Sequence, residues 1–443
     1  MHITFIKPTL GCLADGDVFV DEARMEPLSL GVLAGLTPAG VDCTLVDDRI
    51  DVIDYDAKTD LVAINVETFT ARRAYEISAE YRQRGVPVIM GGMHATLLPQ
   101  EVAEHADSVF TGDAEPIWAQ VVRDARDKAL KPAYHGDPGT PQPGALTRRD
   151  IYAGKGYLPV SLLQFGRGCR FRCDFCAVTE FFDHCNYTRP VEEVVAEIRS
   201  QKRRNLFFVD DNLVSDVSAA KELLRVLIPL KVRWVSQVSL DHTEDPELMQ
   251  LMQQSGCLGN VIGFESLSAD SLKQARKAAN LRGFDQYQRA IQTLRDYHLQ
   301  TWAAFTLGYD HDTYESLLAT CDWAIDQKFA FAAFNVLMPY PGTGFYNRLQ
   351  EEGRLLYDGK WWLHPDYRFN HAAYIPAKMT PDQLTEAGWQ CRKHWSSPSS
   401  IFKRMFDFKT HLSSPLRLFL YLLYNPLFRQ EAFKKQGMKL GTQ

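Results

Sequence analysis

Short β-rich runs alternate with helical segments in two blocks of this chain, and that alternation restricts it to the α/β class with parallel sheets. In residues 1–125 the runs HITFIKP, CTLVD, LVAINV, VPVIMGG and DSVFTG are separated by helical stretches such as LSLGVLAGL and ARRAYEISAEYRQRG. Each run ends in polar or glycine residues, the pattern of a doubly wound, Rossmann-like sheet whose ligands sit beyond the carboxyl ends of its strands. The rim so defined comprises residues 8–12, 47–49, 67–70, 91–96 and 112–115. Residues 126–158 are rich in Pro, Gly and charge without an apolar period, which is linker composition. Over 159–355 six further runs, VSLLQF, NLFFVDD, VRWVSQVS, GNVIGFES, TWAAFTLG and FAAFNVLMP, predict a partial or complete (β/α) barrel. Residues 356–443 read as a helical C-terminal extension that carries Trp361, Trp362 and Tyr367 near the barrel mouth.

Within that extension LRLFLYLLYNPLF is strongly apolar but broken by Arg417, Asn425 and Pro426, and it is too short to span a bilayer. It reads either as a packed helix or as an interfacial one in peripheral contact with a membrane. A net charge of −6 gives no nucleic-acid footprint. The opening MHITFIKPTL lacks the basic start and long apolar stretch of a secretory signal, so a cytoplasmic location is expected.

Nine cysteines form no disulfide framework, because six of them stand alone. The exception is GRGCRFRCDFC, which places Cys169, Cys173 and Cys176 within eight residues. Such spacing wraps a loop around an inorganic centre. Three thiolates on an iron–sulfur cluster leave one iron open to chelation by a substrate. The alternative, a structural zinc loop, needs a fourth closed ligand such as His184 or Cys185.

The loop resembles the signature of the radical S-adenosylmethionine superfamily, Cys-x3-Cys-x-aromatic-Cys, matched at Cys169, Cys173, Phe175 and Cys176. The resemblance extends through FFVDDN (Phe207 to Asn212), GFES (Gly263 to Ser266), TLGYDHDT and PYPGTGFYNRLQEEGRL (Pro339 to Leu355). It implies a [4Fe–4S] cluster on the three cysteines and S-adenosylmethionine contacts from Phe175, Asp210, Asp211, Asn212, Gly263, Glu265 and Ser266. The carboxylates suit ammonium and ribose hydroxyl groups through charge-assisted hydrogen bonds. Asp211 and Asn212 equally suit capping of a following helix.

Residues 1–125 look like the cobalamin-binding module that precedes the radical domain in one branch of that superfamily, through EPLSLGVLAGL, VDDRID, MGGMHATLLPQE and TGDAE. The resemblance implies cobalamin contacts at Thr9, Leu10, Thr68, Gly91, Gly92, His94, Gly112 and Glu115. The module's Asp-x-His-x-x-Gly motif is absent, so His94 is not assigned as a cobalt ligand.

Relatives of this kind include hopanoid methylases and anaerobic tetrapyrrole cyclases. The implied reaction starts with reductive cleavage of S-adenosylmethionine. The 5′-deoxyadenosyl radical then takes hydrogen from an unactivated carbon, and methylcobalamin supplies a methyl group. A cyclisation or rearrangement without methyl transfer uses the same cofactors, and a non-catalytic cobalamin or iron–sulfur sensor would make Asp210, Asp211 and Glu265 dispensable. The implied partners are a small or lipid-like substrate and an electron donor such as flavodoxin or ferredoxin, with no nucleic acid.

Overall fold

The structure is a computed structural model of the chain, and it describes residues 1–13, 19, 24–141, 144, 146–281 and 287–442. The chain divides into two compact units. The first comprises residues 1–158, 357–369 and 437–443, and the second comprises residues 159–356 and 370–436.

In the first unit, β1 (His2–Lys7), β2 (Asp42–Asp47), β3 (Leu61–Asn65), β4 (Val88–Gly91), β5 (Ser108–Gly112) and β6 (Ala133–Gly136) form one parallel sheet in the order β2-β1-β3-β4-β5-β6. Chain direction across the sheet reverses between β1 and β3. A doubly wound sheet opens its ligand crevice at that switch point. Ile3, Phe5, Leu61, Ala63 and Ile89 on the strands pack against Leu30, Ala34, Trp118 and Val121 from covering helices.

Two expectations need correction here. The segment 126–158 is no linker, because β6 pairs with β5 from Val109↔Ala133 to Gly112↔Gly136. Tyr152 is buried and donates to the carbonyl of Pro27, and the Tyr157 hydroxyl donates to Asp47 Oδ2 at 2.8 Å. A four-residue strand at a sheet edge needs no apolar alternation, so its sequence carries little signal. Likewise Trp361, Trp362 and Tyr367 belong to the first unit, within which they are buried, and not to a cap of the second. Trp361 lies 4.7 Å from the Phe69 ring, and Trp362 Nε1 donates to Glu101 Oε1 at 2.9 Å. A buried indole N–H requires an acceptor, and Glu101 supplies it.

The second unit is built on β7 (Ser161–Leu163), β8 (Asn205–Phe208), β9 (Arg233–Val238), β10 (Cys257–Glu265), β11 (Gln300–Leu307) and β12 (Phe331–Val336). They form a parallel sheet in strict sequential order, with β7 and β12 as its two edges. The sheet is therefore open, which selects the partial barrel over the complete one. Helix starts follow local rules. Asp216 accepts from Ala219 N–H, and Asp245 precedes Pro246 and accepts from Leu248 N–H. The C-terminal helices Pro381–Trp395, Pro398–Met405 and Pro415–Lys435 each begin with a capping Thr or Ser followed by proline.

Two buried histidines set the acid stability of this unit. Burial holds the pKa of His242 and of His411 down to about 4. His242 Nδ1 lies 2.6 Å from the carbonyl oxygen of Ser239, and His411 Nε2 lies 2.9 Å from that of Lys328. Between the folded value and the usual 6.5 the unfolded chain binds more protons, so stability falls as pH drops through that window. The expected loss from pH 6.5 to pH 4 is on the order of a few kcal/mol for the pair. Thermal melts across that range check it, and a midpoint that stays flat down to pH 4 contradicts it.

Candidate active site

All three clustered cysteines lie just beyond the carboxyl end of β7. After β7 the chain forms a short strand, Gly166–Gly168, paired antiparallel with Asn186–Thr188. Gly168 is required there: its φ is +80°, and a Cβ would lie 2.2 Å from the Cys185 carbonyl oxygen. Cys169 follows directly. Cys173 is buried, while Cys169 and Cys176 are partly exposed.

The carboxylates that follow β8 hold this loop. Asp210 accepts from the backbone N–H groups of Phe165 and Gly166, both at 2.9 Å, and Asp211 accepts from that of Gly168 at 2.8 Å. Burial pushes the Asp210 carboxyl up to about 7, against those two hydrogen bonds. Neither carboxylate caps a helix, since Asp216 fills that role. Asn212 reaches further: its side-chain amide lies 3.7 Å from Cys169 Sγ, and its Oδ1 accepts from Ser239 N–H at 3.1 Å. Arg170 completes the clamp by donating to the carbonyl oxygens of Val214 and Ser215.

A buried ion pair stands on the other side of the loop. Glu265 ends β10 with φ of +64°, and its Oε1 lies 2.8 Å from Lys277 Nζ. Thr306 on β11 donates to Glu265 Oε2 at 2.6 Å. Gly263 leaves room for this pair, because a Cβ there would lie 2.2 Å from Glu265 Oε1 and 3.0 Å from Lys277 Nζ. Burial works against the charge on Lys277, but Glu265, Cys173 and Cys176 together raise its pKa well above the usual lysine value. Ser266 is buried, and its Oγ accepts from Ser268 N–H. The Phe175 ring packs at 6.2 Å from Tyr309. The segment 339–355 closes the loop's outer side: Phe345 N–H donates to the Asp174 carbonyl, and Arg348 pairs with Asp174 Oδ2 at 3.0 Å.

These residues fit an iron–sulfur cluster. Burial pushes the Cys173 thiol up to about 12 and raises that of Cys176, so an anionic centre here needs compensating charge and donors. Lys277 supplies charge beside both, and the backbone N–H groups of Val178 and Thr179 at the start of helix Ala177–Phe182 point at Cys176. Among the described residues no three His, Cys, Asp or Glu side chains converge as the ligands of a single ion do. A cubane spreads its thiolates over separate irons and asks for wider spacing. The zinc alternative finds no support, and Cys185 is exposed.

Six of the eight rim candidates in the first unit, all but Thr68 and His94, lie at the carboxyl ends of β1, β4 and β5. Thr9 N–H donates to Asp48 Oδ2 and Thr9 Oγ1 to the carbonyl of Phe19, and Leu10 accepts from Gly441 N–H. Gly91 accepts from Val66 N–H, and Gly112 N–H donates to Thr96 Oγ1. Gly92 has φ of +109°, and a Cβ would lie 2.9 Å from the Val66 carbonyl oxygen, so the chain itself demands glycine there. Glu115 is partly buried, and Thr68 is buried beneath the rim. His94 is fully buried and not presented at the rim: Nδ1 lies 3.3 Å from Thr68 Oγ1 and Nε2 3.2 Å from Glu101 Oε1. Glu101 also accepts from Tyr75 and Trp362 and pairs with Lys360. Despite its burial, donors from His94, Trp362 and Lys360 hold the Glu101 carboxyl down to about 2.

Lys277, Thr306 and the Asp174–Arg348 pair escape a reading of the sequence. Lys273, four residues before Lys277, is exposed and pairs with Asp270. Nothing local distinguishes the two lysines.

Residues 163–324 match the Radical SAM superfamily. The bacteriochlorophyllide d C-12(1)-methyltransferase of Chlorobaculum tepidum is 28% identical over 393 residues, spanning 86% of this chain and 84% of that one. The bacteriochlorophyllide d C-8(2)-methyltransferase of the same organism is 28% identical over 360 residues, spanning 75% and 78%. The cobalamin-dependent S-adenosylmethionine radical enzyme OxsB, solved with aqua-cobalamin bound, shares the fold at a TM-score of 0.66 and 15% identity over 97% of this chain and 71% of that one. With the three-thiol loop at the carboxyl edge of an open parallel sheet and the family match over most of that same sheet, this enzyme carries a Radical SAM domain at residues 163–324.

Proposed function

We propose that this protein is a cobalamin-dependent radical S-adenosylmethionine methyltransferase that methylates an unactivated carbon of a small or lipid-like molecule. One observation carries the reading: a three-cysteine loop braced by Lys277, Asn212 and Asp210 follows a doubly wound unit of order β2-β1-β3-β4-β5-β6 in the same chain. When bound, the [4Fe–4S] cluster supplies an open iron and a low-potential electron for S-adenosylmethionine, and cobalamin supplies the methyl group.

The chain's own residues then have distinct tasks. Cys169, Cys173 and Cys176 hold the cluster, and Lys277 offsets its negative charge. Asp210 and Asp211 act through the backbone, keeping the loop in place. Phe175, Asn212, Gly263, Glu265 and Ser266 face S-adenosylmethionine at the carboxyl ends of β8 and β10. Thr9, Leu10, Gly91, Gly92, Gly112 and Glu115 form the cobalamin rim, with Thr68 and His94 supporting it from inside. An electron donor such as flavodoxin or ferredoxin supplies the reducing equivalents. Both relatives named for bacteriochlorophyllide d make a tetrapyrrole with alkyl side chains the first substrate to assay.

Anaerobic reconstitution with iron, sulfide and cobalamin, followed by dithionite, S-adenosylmethionine and a bacteriochlorophyllide, tests this. The expected products are 5′-deoxyadenosine and S-adenosylhomocysteine together, because one cofactor molecule makes the radical and another remethylates cobalt. Deoxyadenosine without S-adenosylhomocysteine would replace methyl transfer by cyclisation or rearrangement.

A further inference from the structure

The two last long helices of the second unit are amphipathic in the wrong sense for a protein surrounded by water. In helix Pro415–Lys435 the buried positions are Tyr421, Asn425 and Glu431, whereas Phe419, Leu422, Leu423 and Phe433 face outward. Spacing of three and four residues puts the first three of these on one stripe. In the helix before it and the turn that follows, Phe402, Phe406 and Phe408 are exposed, Phe408 to 76%. Among the described residues, seven of the twelve exposed large hydrophobic side chains fall between 402 and 433, and the other five are scattered along the sequence. Scattered ones are ordinary, whereas such a concentration marks an interaction surface.

The orientation of the long helix is fixed by polar contacts on its inner side. Arg404 is fully buried and donates to the carbonyl oxygens of Phe329, Ala330 and Trp395 and to Asn425 Oδ1. Asn425 in turn donates to the Ala330 carbonyl, and the Tyr421 hydroxyl donates to that of Ile401. Rotating the helix to bury its phenylalanines would break this set. Breaking it would leave a buried guanidinium without acceptors.

We infer that this face docks on an anionic lipid bilayer, with the aromatic rings at the acyl boundary and the cations among the phosphates. Charge selects the occupant. Residues 398–436 hold seven Lys and Arg against two Asp and Glu, in a chain whose net charge is −6; Arg404 is buried, and Lys403, Lys409 and Arg429 are exposed. Exposed cations beside exposed aromatic rings are the composition of an interfacial helix on acidic lipid. A second copy of the chain would have to set this basic surface against itself. Among the described residues no helix is long and apolar enough to cross a membrane, so the face lies on the bilayer. The inference is independent of the reaction proposed above.

Co-sedimentation of the full-length protein tests it, using vesicles of phosphatidylcholine alone and of phosphatidylcholine with an equal part of phosphatidylglycerol. The expected result is binding to the acidic vesicles roughly tenfold stronger than to neutral ones, weakened by salt. Two separate variants, Phe402→Ser with Phe408→Ser and Phe419→Ser with Leu423→Ser, should each lower that binding roughly tenfold without shifting the thermal midpoint. The proposal is overturned if the parent protein ignores both vesicle types or if both variants bind as the parent does. It is equally overturned if the parent is a dimer by light scattering that the variants render monomeric while no vesicle binds.

Discussion

Replacing Cys176 by alanine will remove the iron–sulfur cluster and with it all reductive cleavage of S-adenosylmethionine, while leaving the fold intact. Three thiolates are the fewest that hold such a cluster with one iron open, so no spare ligand exists on this loop. Cys176 sits at the cap position of helix Ala177–Phe182 but makes no side-chain capping hydrogen bond. Its loss therefore costs the helix little, and the thermal midpoint of the apoprotein should not move. Bound iron, the visible sulfur-to-iron absorbance and 5′-deoxyadenosine yield should each fall by well over about tenfold, the lower end of what even supporting residues around metal ligands cost. Cys185→Ala is the control, because that thiol is exposed and should leave all three readouts unchanged. A full cluster in the Cys176 variant would sink the ligand assignment.

The second large effect is one of stability. Lys277→Met leaves Glu265 buried against Thr306 without its ion-pair partner, and stranding one partner of a buried pair costs about 3–5 kcal/mol. Adding Glu265→Gln should recover most of that loss, since glutamine still accepts from the Thr306 hydroxyl and carries no charge. Thermal or denaturant melts of the two variants read the difference directly. Equal stability of the single and the double variant would show that the ion pair with Lys277 contributes nothing to the stability of the unit. The pair also lies where Gly263 leaves space for it, so the strand, the bulge and the ion pair act as one unit.

Much of the architecture was legible because backbone periodicity is local. All six runs expected over 159–355 are strands of one sheet, and the five expected in the first 125 residues are strands of another. The cysteine loop was legible for the same reason, since its three cysteines lie within eight residues and its glycines answer to local geometry. Capping by Thr380, Ser397 and Ser414 ahead of proline is likewise written in adjacent residues.

What the sequence concealed lies in contacts across large separations. Asp210 and Asp211 look like ligand carboxylates at a strand end, and only the neighbouring segment shows that both oxygens of Asp210 and one of Asp211 accept from backbone amides 43 to 45 residues away. The tryptophans at 361 and 362 read as part of a C-terminal cap until Glu101, 261 residues earlier, is found beneath one of them. Alternation and spacing thus determined by themselves that this is an α/β chain with a three-thiolate loop at a strand's carboxyl end, because those features arise from forces acting within a few residues. Tertiary structure alone decided which carboxylates brace the loop, which lysine pairs with Glu265 beside it and which apolar side chains of the last helix stay exposed. Burial changes the worth of a charge, and burial is a property of the folded neighbourhood that no single residue announces.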